Sequence, residues 1–133
     1  MKIAIPVWEG KVSPVFDTAC RLLVLQVKNR KETSRFETFL DEKDLTRRCL
    51  RIQALGLDTL ICGAISEHFY RMLISDEIEI IPWISGPAEE VLEAYLNGEL
   101  FNPRFLMPGS DWHKRKPGTG NIVTKRNQGI EKP

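Results

Sequence analysis

Three short apolar runs limit what this chain can fold into: Ile3–Val7 (IAIPV), Leu22–Val27 (LLVLQV) and Leu60–Cys62 (LIC). Each is too brief for a buried helix and is flanked by turn-forming or charged residues, so each reads as a buried strand. Pro6 signals that the first strand leaves its hydrogen-bonded ladder near Val7. Arg21–Lys28 is a second strand, joined through the polar hairpin stretch Asn29–Thr33 to a third at Ser34–Leu40. Leu60–Gly63 makes a fourth strand and Ile78–Ile84 a fifth.

Helical spacing appears only later in the chain. Asp41 reads as an N-cap, and Leu45, Cys49, Ile52 and Leu55 recur on one face before Gly56. Ser66 opens a second helix running toward Asp76, with Phe69, Met72 and Leu73 inward. Gly86-Pro87 opens a third, with Val91, Leu92, Tyr95 and Leu96 on its apolar face and Gly98 past its end. The order is β-β-β-α-β-α-β-α, without internal repeat. Hairpins make the first three strands antiparallel, whereas helical crossovers make strands one, four and five parallel. The expected architecture is a five-stranded mixed sheet, ordered 3-2-1-4-5, with helices on both faces.

In an open α/β sheet, ligands sit beyond the carboxyl ends of parallel strands, where connections diverge. That rule expects a crevice lined by Trp8–Ala19, Gly63–His68 and Ser85-Gly86. Helix N-termini at Ser66 and Gly86 would favour an anionic ligand there, an effect that Glu67 opposes unless it points outward.

Composition narrows the class. The 133 residues carry 42% hydrophobic side chains, enough for one core-bearing domain. Charged residues interrupt every apolar stretch, so no membrane span is expected, and Pro6 and Glu9 come too early for a signal peptide. Cys20, Cys49 and Cys62 are odd in number and widely spaced, against a disulfide framework or structural zinc site. A soluble, reduced, cytoplasmic protein is expected. The net charge of +1 conceals a split, because residues 113–133 hold six Lys/Arg against one acid, giving +5. Residues 1–112 hold 13 basic and 17 acidic side chains, giving −4. Expected domains are therefore an α/β unit over 1–109 and a basic, flexible tail over 110–133.

MKIAIPVWEGKVSPVFDTACRLLVL followed by LDTLICGAI resembles the dinitrogenase iron–molybdenum cofactor biosynthesis family, which includes NifX-like carriers and the C-terminal domain of NifB-like proteins. The resemblance covers about the first hundred residues. It implies an RNase H-like α/β fold and a non-catalytic role in holding a metal–sulfur cluster or its precursor, with cofactor-biosynthesis proteins as partners. Three departures mark this chain: Val15 where many members have His, Gly63-Ala64-Ile65-Ser66 where they tend to have Gly-Gly-Ile-Gly, and Ser110 where relatives often have Cys. The implied cargo spans an iron–molybdenum cluster, an iron–sulfur cluster or a molybdenum–copper sulfide.

Candidate ligands follow from chemistry. Cys62 supplies a soft thiolate at the end of a crevice strand, although Cys is equally at home as a small buried hydrophobe. His68, in the first turn of the second helix, is a possible imidazole ligand or a solvated side chain. Trp8, Ser13, Phe16, Gly63 and Ser66 complete the candidate cofactor-binding set as wall and loop-shaping residues, and Asp17 braces a turn. Cys20 faces either way, and Cys49 belongs to a helix core face. His113 and Lys114-Arg115-Lys116 belong to the tail and could draw in an anion.

Two other functions compete. A nuclease needs clustered carboxylates, and the first and fourth strands carry none. A regulatory or interaction module would use the basic tail on nucleic acid or an acidic partner, but no RNA-stacking pattern accompanies it, so nucleic acid is disfavoured. No nucleophile–base pair, phosphate-binding glycine loop or zinc spacing points to an enzyme. Oligomeric state is not legible in the sequence.

Overall fold

The structure, a computed structural model, describes residues 1–75 and 77–107. Its strands are β1 (Lys2–Trp8), β2 (Lys11–Val12), β3 (Arg21–Lys28), β4 (Lys31–Phe39), β5 (Thr59–Ile61) and β6 (Glu79–Ile81). They form one mixed sheet along the path β4-β3-β1-β5-β6, with β2 paired to β1 off that path. β1 runs antiparallel to β2 and β3 and parallel to β5, which is parallel to β6.

The sheet thus has six strands rather than the expected five. The addition arises at Glu9 and Gly10, whose φ values of 51° and 79° close a two-residue turn between β1 and β2. Such a turn needs two left-handed residues, and Glu is uncommon in that region. Asn29 and Arg30 make the corresponding turn between β3 and β4.

Among the described residues three α-helices pack on the sheet: α1 (Leu45–Ala54), α2 (Glu67–Ile74) and α3 (Ala88–Leu96). α1 begins at Asp44, not Asp41, and the Asp44 carboxylate accepts from the Thr46 amide. The carbonyls of Leu40 and Glu42 are occupied by Arg48, which keeps this stretch out of the helix. Ser66 caps α2 through the Phe69 amide.

Side-chain alternation sorts the core into two layers. Ala4, Leu22, Val24, Leu60, Cys62 and Ile80 pack with α1 and α2. Ile3, Ile5, Leu23, Leu25, Ile61 and Ile81 pack with α3 on the opposite face. Burial on both faces explains why β1 and β5 read as continuous apolar runs. A fully buried Leu or Ile there contributes roughly 1.5–3 kcal/mol.

No described helix is long and apolar enough to cross a membrane. The expected boundary at residue 109, the 110–133 segment, and with it Ser110, Trp112, His113 and Lys114–Lys116, lie outside the described residues.

Candidate functional site

The loop after β1 is tied down on both sides. The Ala88 amide donates to the Gly10 carbonyl at 2.9 Å and the Val12 amide to the Gly86 carbonyl at 2.9 Å, which fastens the loop to the start of α3. On its other side the Phe16 amide donates to the Ala64 carbonyl, and the Ala64 amide to the Pro14 carbonyl, each at 2.8 Å. The Ser66 amide donates to the Asp17 carboxylate at 2.9 Å, so Asp17 braces the entry to α2. Phe16 stacks on Phe69 with ring centroids 5.0 Å apart.

Beneath the loop lies Arg48, a charged residue only 3% exposed. Its guanidinium donates to the carbonyls of Phe16 (3.0 Å), Ala19 (2.7 Å), Leu40 (3.3 Å) and Glu42 (2.9 Å). Burial lowers its pKa, while Asp17, Cys20 and Glu42 oppose that shift. One side chain on α1 therefore fastens the 3-10 turn Phe16–Thr18 and the chain leaving β4.

These bonds close the crevice expected between the ends of β1, β5 and β6. The loop is hydrogen-bonded to both of the other expected walls, at Ala64 and Ser66 and at Gly86. Among the described residues a cavity of about 1170 Å³ opens on the α3 face, over the β3–β4 hairpin. Trp8, Glu9, Ser13 and Val15 of the loop form one wall, Leu23, Arg35 and Glu37 another, and Ala88 and Glu89 a third. Thr18, Cys20 and Arg21 also line it.

Arg35 bridges two of the walls. Its guanidinium makes a bidentate pair with Glu32 at 2.5 and 2.6 Å and another with Glu89 at 2.6 and 3.0 Å. Hydrogen bonds from Arg35 hold both carboxyls below their usual range, and the two carboxylates push the guanidinium pKa up. The second pair at the cavity, Arg21–Glu37, is 3.9 Å apart and more than half exposed, so it contributes little.

The seven sequence candidates divide. Trp8, 59% exposed, and Ser13 line the cavity. Phe16 and Cys62 are fully buried in the layer beneath α1 and α2. Gly63 packs its backbone against the loop, Ser66 caps α2, and His68 is exposed in the first turn of α2. Burial, with a smaller contribution from Asp17, pushes the Cys62 thiol well above its ordinary value and disfavours the thiolate a metal needs. No group of three or more His, Cys, Asp or Glu is poised to hold a metal ion among the described residues.

Cys20 is the cysteine that lines the cavity, exposed just ahead of β3 with its thiol 3.8 Å from the Thr18 carbonyl oxygen. Its direction is not legible in the sequence, because it precedes the strand whose alternation would fix it. A thiol reagent applied to the folded protein should therefore modify Cys20 alone among the three cysteines. Mass spectrometry of the labelled peptides checks this, and labelling of Cys62 before unfolding would contradict the closed loop.

Known proteins share this architecture. The sequence matches the family model described as dinitrogenase iron-molybdenum cofactor over residues 1–98. The solved structure of PH0822 superimposes with a TM-score of 0.69 at 16% identity, covering 74% of this chain and 93% of that one. A Methanocaldococcus jannaschii protein described as a dinitrogenase gives a TM-score of 0.62 at 24% identity, covering 74% and 90%. A Thermotoga protein described as NifB gives 0.60 at 14% identity, covering 74% and 89%. No curated protein matches the chain.

Proposed function

The chain belongs to the dinitrogenase iron–molybdenum cofactor family, and from that premise we propose that it is a non-catalytic carrier, holding a metal–sulfur cluster or its precursor as cargo. The observation that carries this reading is the cavity of about 1170 Å³, walled by the loop from the matched region and lined by the exposed Cys20. A space of that size with one soft ligand suits a preassembled cluster rather than a chelated ion. In this reading Trp8 and Ser13 touch the cargo and Cys20 ligates it. Phe16, Gly63 and Ser66 keep the loop in place. Cys62 acts as core packing and His68 as a solvated helix residue, because neither reaches the cavity lining.

The fold is read as RNase H-like, and the partners as other proteins of metallocofactor assembly. Iron–molybdenum, iron–sulfur and molybdenum–copper sulfide clusters share the sulfide surface and negative charge that this cavity would meet. Both lining guanidinium groups, Arg21 and Arg35, already face carboxylates. An anionic cargo must therefore compete with Glu37 or Glu89 for them.

Anaerobic reconstitution tests the reading with iron, sulfide and molybdate in one arm and copper with tetrathiomolybdate in the other. Retained metal with visible charge-transfer absorption is expected in at least one arm. Loss of an outer-shell partner costs 10–100-fold in metal affinity, so Cys20→Ser should weaken retention by at least about tenfold. Metal absent in both arms, or retained equally by Cys20→Ser, overturns it.

A further inference from the structure

The two edges of the sheet are finished differently. β6 is only three residues long, and the chain just past it is paired: the Ser85 amide donates to the Phe105 carbonyl at 2.7 Å, the Met107 amide to the Trp83 carbonyl at 3.0 Å, and Ile84 bridges Leu106. At the other end β4 runs for nine residues, all but Thr38 exposed, and pairs only with β3 among the described residues. A strand in that position presents a row of outward backbone donors and acceptors. Phe36 and Phe39 are 51% and 57% exposed on it.

We propose that β4 is a self-complementary edge through which two copies of this chain pair antiparallel, extending the sheet across a two-fold axis at Phe36. In that register Arg35 lies opposite the partner's Glu37, and Glu37 opposite the partner's Arg35. Phe36 meets its own copy, and Ser34 faces the partner's Thr38. Opposite charges and paired aromatics across neighbouring strands stabilise a sheet, whereas like charges weaken it. Sliding by two residues one way sets Arg35 against Arg35, and the other way Glu37 against Glu37. A one-residue slip turns the cavity face of one copy against the opposite face of the other. The charge pattern therefore selects one register.

Arg35 is already paired with Glu32 and Glu89, so the partner's Glu37 would join or replace one of these carboxylates, whereas Glu37 itself is loosely held. Among the described residues Glu37 pairs with Arg21 alone, through an exposed 3.9 Å contact. The face carrying Arg35 and Glu37 is also the face that bears the cavity. Pairing would bring the two cavities to the same side of one twelve-stranded sheet.

Sedimentation equilibrium of the full chain, from micromolar to submillimolar concentration, is the test. A species of twice the 15.3 kDa chain mass is expected. Glu37→Arg places two like-charge pairs at the centre and should weaken association on the order of tenfold. Mixing the Glu37→Arg and Arg35→Glu chains should restore it, because both central pairs are again opposite in charge. Circular dichroism of each variant reports that the monomer remains folded. A monomer throughout, dimerisation indifferent to Glu37→Arg, or failure of the mixed pair overturns the proposal. A monomer is also the outcome if another part of the same chain occupies the β4 edge.

Discussion

Gly63→Ala should destabilise the protein by about 3 kcal/mol, combining overpacking with two weakened hydrogen bonds. An added Cβ would lie 2.5 Å from the Ser13 carbonyl oxygen and 2.7 Å from that of Pro14. Both atoms belong to backbone, so no flexible side chain can move aside. The loop after β1 would have to lift away from β5, stretching the paired bonds between Phe16 and Ala64 and between Ala64 and Pro14. For a domain of this size the loss corresponds to a fall in Tm of roughly 10–20 °C. Chemical denaturation measures the first quantity and calorimetry the second. Since the lifted loop uncovers the layer that contains Phe16 and Cys62, native thiol labelling of Cys62 should also accelerate. A destabilisation under about 1 kcal/mol would mean that the loop shifts freely, and the closed crevice would lose its explanation.

The strands were legible because apolar runs as short as Ile3–Val7 and Leu60–Cys62 leave few alternatives, and Ser66 announced α2 by its capping chemistry. β2 escaped because it is two residues long and its turn uses Glu9 in a conformation that Glu seldom takes. The start of α1 was misplaced because Asp41, Glu42 and Asp44 are all acceptable near a helix N-terminus. The choice was made by Arg48, six residues beyond Glu42 and about thirty beyond the loop it holds. Contacts across that separation leave no periodic trace.

The site was half legible for a related reason. That Trp8 and Ser13 stand at a strand end, where they line the cavity, is legible from the order of the elements. The direction of Cys62 is not, because a strand buried on both faces has no polar alternation to reveal which side chain points where. The rule that ligands gather beyond strand ends also presumes that the space between diverging connections is open. Here the loop fills it, and the cavity moves to the uncovered face of the β3–β4 hairpin.

Arg48→Leu should cost about 3–5 kcal/mol, within the range for breaking a buried charged hydrogen-bond set by removing one partner. Replacing a buried charge by an apolar side chain is often neutral when its partners are replaced as well. Here the partners are the carbonyls of Phe16, Ala19, Leu40 and Glu42, which no substitution of Arg48 removes. The Phe16 carbonyl would keep the Ala19 amide at 3.1 Å, but those of Ala19, Leu40 and Glu42 would lose the guanidinium, each at a desolvation cost of about 1–3 kcal/mol wherever water cannot reach. Arg48→Lys should recover only part of the loss, because an ammonium is a compact donor and cannot span four acceptors as the planar guanidinium does. The Leu variant should unfold at lower denaturant with an unchanged m-value. Amide exchange should quicken at Phe16–Ala19, whose local anchor is lost, before it quickens in β1 and β3. If Arg48→Lys were as stable as the parent, the fork geometry would be irrelevant and the charge alone would hold the loop. If Arg48→Leu were as stable, neither would, and the loop would depend on its bonds to Ala64 and the stacking of Phe16 on Phe69.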